Sequence, residues 1–397
     1  MAKITIVDSI MGSGKTSWAI RKMNEETDRK FVYITPYLSE VARIKEKCVD
    51  RKFFDPKNVG SGKLDSMHNL LSYNKNIAST HALFQSANET TRNLIAMGNY
   101  TLILDEVMNV VDFMDMKKGD IVLMKEHDLI RVEEDGLVTW NEDKLDFDTR
   151  YNDIKAMCQN KTVYLIGDTV LIWTFPVDIF DSFQEVYVLT YKFKGQLQRY
   201  YYDMSGVEFD YKSVYNEDGK YTLGEYREFD DMDRIKSLIT LYQGNFNNIG
   251  DKPTALSKTF YKSASKEVLK TFQRAIYSYF HNYTRSKSQD NMWTTFKDYK
   301  GVLSGKGYTN GFVSVGTRAT NEYKDKKFLA FCVNEFHNPI ITNFFQRHGV
   351  TDLNEDVYAL SELIQWIWRS QIRDGKQITC YIPSKRMRDI LLNWLNE

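Results

Sequence analysis

The chain has 397 residues, 42% of them hydrophobic, with 53 lysines and arginines against 53 aspartates and glutamates. That length exceeds one ordinary core and predicts at least two domains. The zero formal charge excludes a general polyanion binder, so any nucleic-acid surface has to be a local patch. Cys48, Cys158, Cys332 and Cys380 lie far apart with no C-x-x-C pair, which predicts reduced thiols and no zinc finger. The start, Met1-Ala2-Lys3, runs straight into a strand and leaves no room for a signal peptide. No apolar run approaches the length of a bilayer span. The expectation is a soluble cytoplasmic protein without a membrane partner.

Ile4-Thr5-Ile6-Val7 reads as a buried strand. Ser9-Ile10-Met11-Gly12-Ser13-Gly14-Lys15-Thr16 follows it, and a helix begins at Ser17. Strand, glycine-rich loop and helix in that order are the context of a phosphate-binding loop, although Ser9 stands where the full pattern has its first glycine. Gly12 and Gly14 let backbone N–H groups turn inward around phosphate oxygens, with Ser13 and Ser17 beside them. Lys15 would reach the β- and γ-phosphates, and the Thr16 hydroxyl would ligate Mg²⁺. A second strand, Lys30-Phe31-Val32-Tyr33-Ile34, ends in Thr35-Pro36, and Thr80-His81 falls at a strand-to-helix junction. Neither His68 nor His81 has a second ligand three or four residues after it, which argues against a metal. Tyr100-Thr101-Leu102-Ile103-Leu104 is a continuous apolar strand ended by Asp105-Glu106. An aspartate there can hold Mg²⁺ through water, and the glutamate can orient or deprotonate an attacking water.

Residues 117–150 change character and predict a small inserted hairpin, with Ile121-Val122-Leu123-Met124 and Gly136-Leu137-Val138-Thr139-Trp140 as its strands. Further strands at 162–166 and 185–190 extend a mainly parallel sheet, the first ending in Gly167-Asp168-Thr169. The expected division is a first domain over 1–195, a connection over 196–230 and a second α/β domain over 231–397. Within the last, Thr254-Ala255-Leu256-Ser257-Lys258-Thr259-Phe260 and Gly311-Phe312-Val313-Ser314-Val315 read as strands. Residues 265–283 form the best amphipathic helix, with Val268, Leu269, Phe272, Ala275, Ile276, Tyr279 and Phe280 on one face. From Lys252 to Lys287 eight lysines and arginines face a single acidic residue, Glu267. Lys258, Lys262, Lys266 and Lys270 belong to this basic patch. A helix over 356–373 would stack Gln365, Arg369 and Arg373 along one stripe at spacing four.

Taken in order, these features resemble the superfamily 2 helicases, in particular the compact ones encoded by bacteriophages. The resemblance covers nearly the whole chain. It rests on the loop Ser9 to Thr16, on Thr35-Pro36 and Thr80-His81 as strand-contact motifs, and on Asp105-Glu106, where Val107-Met108 replaces the usual continuation. Gly167-Asp168-Thr169, Gly316 to Asn321 and Gln365 to Arg373 stand where the later motifs belong. The resemblance implies two RecA-like domains that bind ATP and Mg²⁺ in the cleft between them. It implies hydrolysis by Lys15, Asp105, Glu106 and Gln365, helped by Arg369 and Arg373. Single-stranded or forked DNA would meet Thr35, Pro36, Thr80, His81, the four lysines, Thr317 and Arg318. It further implies a DNA helicase or translocase working in the host cytoplasm beside phage replication or recombination proteins. An RNA helicase and an ATP-switched origin-binding protein are the alternatives. The adenine-reading segment upstream of the phosphate loop is missing from the pattern, which leaves base selectivity open.

Overall fold

The strands of the first sheet are set at its centre by continuous apolar runs, as expected where both faces are covered. In chain order these strands are β1 (Lys3–Asp8), β2 (Lys30–Thr35), β3 (Phe53–Phe54), β4 (Asn76–Thr80), β5 (Tyr100–Asp105), β11 (Glu185–Thr190), β12 (Phe209–Glu217) and β13 (Lys220–Glu225). Between β5 and β11 lie β6 (Val111–Phe113), β7 (Ile130–Val132), β8 (Val138–Trp140), β9 (Val163–Ile166) and β10 (Val170–Thr174). The computed structural model describes residues 2–58, 60, 62–228, 231–316 and 322–397. The chain forms two units, one of residues 1–9, 13–226 and 338–353, the other of 10–12, 227–337 and 354–397.

The eight-stranded sheet of the first unit has the order β13-β12-β1-β11-β5-β2-β4-β3. Every neighbouring pair is parallel except β12 with β13, which closes the sheet's β1 side as an antiparallel hairpin. The connection expected over 196–230 is therefore largely sheet: a helix, Leu197–Met204, leads into β12 and β13. Tyr200, Tyr201 and Tyr202 on that helix are core residues. A second correction concerns 339–347. The helix Pro339–Arg347 buries Ile341, Phe344 and Phe345 in the first unit's core, against Tyr164 and Tyr200. Each such phenyl contributes about 1.5–3 kcal/mol by leaving water.

The inserted segment has a core of its own, built on Ile121, Met124, Ile130, Val138, Trp140, Ile154 and Leu165. Its hairpin pairs β7 with β8, so Ile130–Val132 takes the place expected for 121–124, which is helical within Lys118–Glu126. Ile121 and Met124, three apart, point that helix's apolar side inward. Strand β9 turns back antiparallel onto β10 in a separate three-stranded sheet. Gly167 makes the turn at φ +58. Hence 162–166 is not a strand of the parallel sheet, and Asp168 is an exposed turn residue paired with Lys125.

The second unit holds a parallel sheet of β14 (Ile239–Leu241), β15 (Asn291–Thr294), β16 (Phe328–Phe331) and β17 (Ile378–Tyr381), in the order β14-β17-β16-β15. Residues 258–263 are a helix capped by the Ser257 hydroxyl, not the strand expected over 254–260. Residues 311–315 contribute only a single bridge, Phe312 to Trp293. The amphipathic helix is Lys266–Ser278, continued by a π-turn over Tyr279–Tyr283. Leu269, Phe272, Ile276, Tyr279 and Phe280 are buried as expected, whereas Val268 is exposed. All four cysteines are buried free thiols. Among the described residues no helix is long and apolar enough to cross a membrane.

Candidate nucleotide-binding site

Parallel sheets bind ligands beyond the carboxyl ends of their strands. In the first unit that edge gathers Asp8, Thr190, Asp105, Thr35 and Thr80, because register aligns Asp8 with Thr190, Leu189 with Asp105, Ile34 with Leu104 and Thr35 with Thr80. The chain leaves β1 at Ser9, whose N–H donates to the Thr190 carbonyl at 3.0 Å. The Ser9 hydroxyl accepts the Val214 N–H at 2.9 Å. That bond gives the serine a use that glycine could not supply: it ties the loop to β12. Gly12 and Gly14 take φ +83 and +96, the left-handed region open to glycine. The helix Lys15–Glu25 starts on Gly14 without a side-chain cap, which leaves its first amides for an outside acceptor. The Ser13 hydroxyl is enclosed and has no partner among the described residues. Thr16 and Ser17, in the first turn, are half-buried. A loop of open amides, an enclosed hydroxyl and a lysine is the donor set that a triphosphate requires.

Lys15 is buried and donates to the Ser9 carbonyl. Burial pulls its pKa down, and the carboxylates of Glu106, Asp8 and Asp105 oppose that shift. Asp105 accepts the Tyr33 hydroxyl at 2.7 Å. Its carboxyl is pushed up to about 7, first by burial and next by the like charge of Glu106. Glu106 itself stands at φ +66, uncommon for a residue with a side chain, and its N–H donates to the Leu189 carbonyl at 2.9 Å. An Asp–Glu pair held beside a buried lysine is short of positive charge. Magnesium takes one or two protein oxygens and fills its shell with water and phosphate, which suits the Thr16 hydroxyl and the Asp105 carboxylate. Clusters of three or more metal-binding side chains are absent among the described residues.

The remaining sequence candidates fall in different surroundings. Thr35 is fully buried with its hydroxyl enclosed, so it presents nothing to a nucleic acid. Pro36 and Thr80 are half-buried, and the His81 ring nitrogen Nε2 meets the Asp105 carbonyl at 3.0 Å. Lys258, Lys262, Lys266 and Lys270 are exposed, and none forms an ion pair among the described residues. Thr317 and Arg318 lie outside the described residues. The stripe of Gln365, Arg369 and Arg373 is not one helix. Helix Glu355–Ile367 ends before Arg369, the backbone is extended at Ser370, and Arg373 sits on a separate turn, Gln371–Asp374. Gln365 donates to the Ser361 hydroxyl at 3.0 Å. Arg369 is buried and donates to the carbonyls of Ser314 and Val315 at 3.3 and 3.1 Å, while Arg373 is exposed.

Comparison with known proteins places the chain. The SPbeta prophage-derived uncharacterized protein YonV of Bacillus subtilis (strain 168) is 44% identical over 408 residues, spanning 100% of this chain and 99% of that protein. The chain belongs to the YonV family. Models of the YonV middle domain and of the YonV C-terminal Rossmann-like domain match residues 111–173 and 233–395. The YonV middle-domain match runs from the start of β6 to within β10. Among solved structures, S. tokodaii Xpd4 aligns over 99% of this chain and 94% of that one, with a TM-score of 0.50 and 11% identity. At that identity the likeness is one of fold, a helicase-like two-domain α/β architecture.

Two buried polar residues of this YonV-family site escaped the sequence reading. Asp8 accepts the N–H groups of Lys192 and Phe193 at 2.8 and 2.9 Å, locking the end of β1 to the turn after β11. Burial raises its pKa despite those bonds. Its signal was available, an aspartate closing the strand before a phosphate loop. Gln198 accepts the Met108 N–H at 2.9 Å and donates to the Tyr202 hydroxyl at 2.9 Å, pinning the segment after Glu106. Nothing in the sequence marked Gln198. The strand between β1 and β5 is β11, so Thr190, not Gly167-Asp168-Thr169, closes the strand beside Asp105.

Proposed function

We propose that this protein is an ATP-dependent DNA helicase or translocase of superfamily 2, serving phage DNA replication, recombination or repair in the host cytoplasm. One observation carries the reading: a glycine loop with a buried lysine and an Asp-Glu pair meet at the ends of β1 and β5. The loop amides, Gly12 to Ser17, hold the triphosphate, and Lys15 places its charge on the transferring phosphate. Thr16 and Asp105 hold Mg²⁺, which when bound neutralises charge on the phosphate oxygens. Glu106 orients water and takes its proton as the oxygen attacks the γ-phosphorus and the bond to ADP breaks. Arg373 is the proposed finger. Arg369, held by two carbonyls, serves as its support. Gln365 belongs to the same proposed group. Single-stranded or forked DNA is held through phosphate contacts that ignore sequence, from Thr80, Lys258, Lys262, Lys266 and Lys270, with Pro36 shaping the turn after β2.

The test is strand displacement. A forked DNA duplex, a blunt DNA duplex and a forked RNA duplex are each incubated with the protein and ATP or ADP. ATP-dependent opening of the forked DNA supports the reading. Opening of the RNA fork alone replaces it with an RNA helicase. ATP-dependent binding without any displacement replaces it with an ATP-switched DNA-binding protein.

A further inference from the structure

The β12–β13 hairpin, unmarked in the sequence, brings one aromatic ring onto the phosphate loop. Tyr221 lies on β13 opposite Asn216 of β12. Its ring covers Gly14 so closely that a Cβ there would sit 2.1 Å from Tyr221 Cε1 and 2.3 Å from Cδ1. The hairpin is fastened at two further points. Arg21, on the helix that follows the loop, donates to the Tyr221 carbonyl at 2.9 Å and to Glu25 at 2.7 Å. Val214 of β12 is held by the Ser9 hydroxyl. Other aromatics near the loop are engaged. Trp18 packs edge-on against Tyr187 at 5.2 Å, and Tyr33 is buried on Asp105. Tyr221 packs against the core cluster of Trp18, Ala19 and Met23 but is only half-buried, and its hydroxyl has no partner among the described residues.

We propose that Tyr221 is the nucleoside-side contact of the site, an aromatic platform for the base of a nucleoside triphosphate whose phosphates the loop holds. The inference rests on the nucleotide reading above and adds to it a residue and a selectivity. An aromatic face accepts the π-face of any base, so the site separates ATP from GTP poorly. The competing role is packing, in which the ring only fills the notch above a glycine. The two differ on a ligand with phosphates but no base.

Wild type, Tyr221→Phe and Tyr221→Ala are titrated calorimetrically with magnesium complexes of ATP, GTP and tripolyphosphate. The proposal expects Tyr221→Ala to lose about tenfold in affinity for both nucleotides, the lower part of the range for one base stacked on one ring. Tyr221→Phe keeps wild-type affinity, and tripolyphosphate binds all three proteins alike. Equal weakening of tripolyphosphate and ATP in Tyr221→Ala, or weakening of neither, overturns the proposal and leaves the ring a packing residue. A wild-type protein that binds neither ATP nor tripolyphosphate fails the nucleotide reading itself, and this inference with it.

Discussion

Replacing Asp105 by asparagine should make the protein harder to unfold above neutral pH while abolishing its chemistry. The carboxyl is raised from 3.8 to about 7, by burial and by the neighbouring Glu106 charge. At about 1.4 kcal/mol per pKa unit, a gap of roughly three units sets a ceiling near 4 kcal/mol. Asp105 keeps part of its surface in solvent, so screening reduces this to about 1–2 kcal/mol. A raised native pKa means that the folded state holds the proton more tightly. Its stabilising contribution is full below pH 3.8 and is lost as pH rises through about 7. Asparagine does not titrate and escapes that loss. Its amide oxygen can still accept the Tyr33 hydroxyl that Asp105 accepts at 2.7 Å. Urea unfolding of both proteins at pH 5 and pH 8 is the assay. The variant should gain about 1–2 kcal/mol at pH 8 and clearly less at pH 5. A gain equal at both pH values, or a variant less stable than wild type at pH 8, refutes the argument that burial and like charge govern this carboxyl.

Glu106→Gln should bind ATP and turn it over very slowly, measured by calorimetry beside phosphate release; normal turnover rules out its role as base. Reversing Lys266 and Lys270 to glutamate should weaken DNA binding for every sequence and flatten its salt dependence, read by fluorescence anisotropy across a salt series. Unchanged affinity and slope would make the row a solvated helix face. Arg369→Ala should cost about 2–3 kcal/mol of stability by leaving the Ser314 and Val315 carbonyls unsatisfied. Exposed Arg373→Ala should keep stability within about 0.5 kcal/mol. It should lower ATP turnover by about a thousandfold with ATP affinity unchanged within a few-fold; normal turnover removes Arg373 as the finger.

Strands β1, β2 and β5 were legible because they are continuous apolar runs. Lys15, Asp105 and Glu106 could be named from spacing, and they do share one strand edge. Where local pattern and tertiary demand diverged, the reading failed. Ile121 to Met124 is as apolar as a strand, yet only Ile121 and Met124 face a core, which is helical spacing. β12 and β13 have only two fully buried residues, Ser213 and Val214, among charged and half-buried ones, so their membership of the sheet comes from pairing with β1 and from the Ser9 hydroxyl. Residues 339–347 fell in the half expected to be the second domain, yet they pack in the first unit. Their Phe344 and Phe345 find aromatic partners about 180 and 145 residues back, at Tyr164 and Tyr200, a distance that no local pattern encodes. The arginine stripe failed for a local reason: Trp366 and Ile367 are buried at the helix end, and the Ser370 hydroxyl then donates to the Ile367 carbonyl at 2.7 Å.

The central claim is that the loop on β1 drives hydrolysis coupled to nucleic acid. It is tested most directly by steady-state phosphate release from ATP, with wild type and Lys15→Ala, across a titration of single-stranded DNA. The account predicts a wild-type rate that rises severalfold and saturates with DNA, and no release above background from Lys15→Ala at any DNA concentration. A wild-type rate indifferent to DNA, or a Lys15→Ala rate equal to wild type, would contradict it.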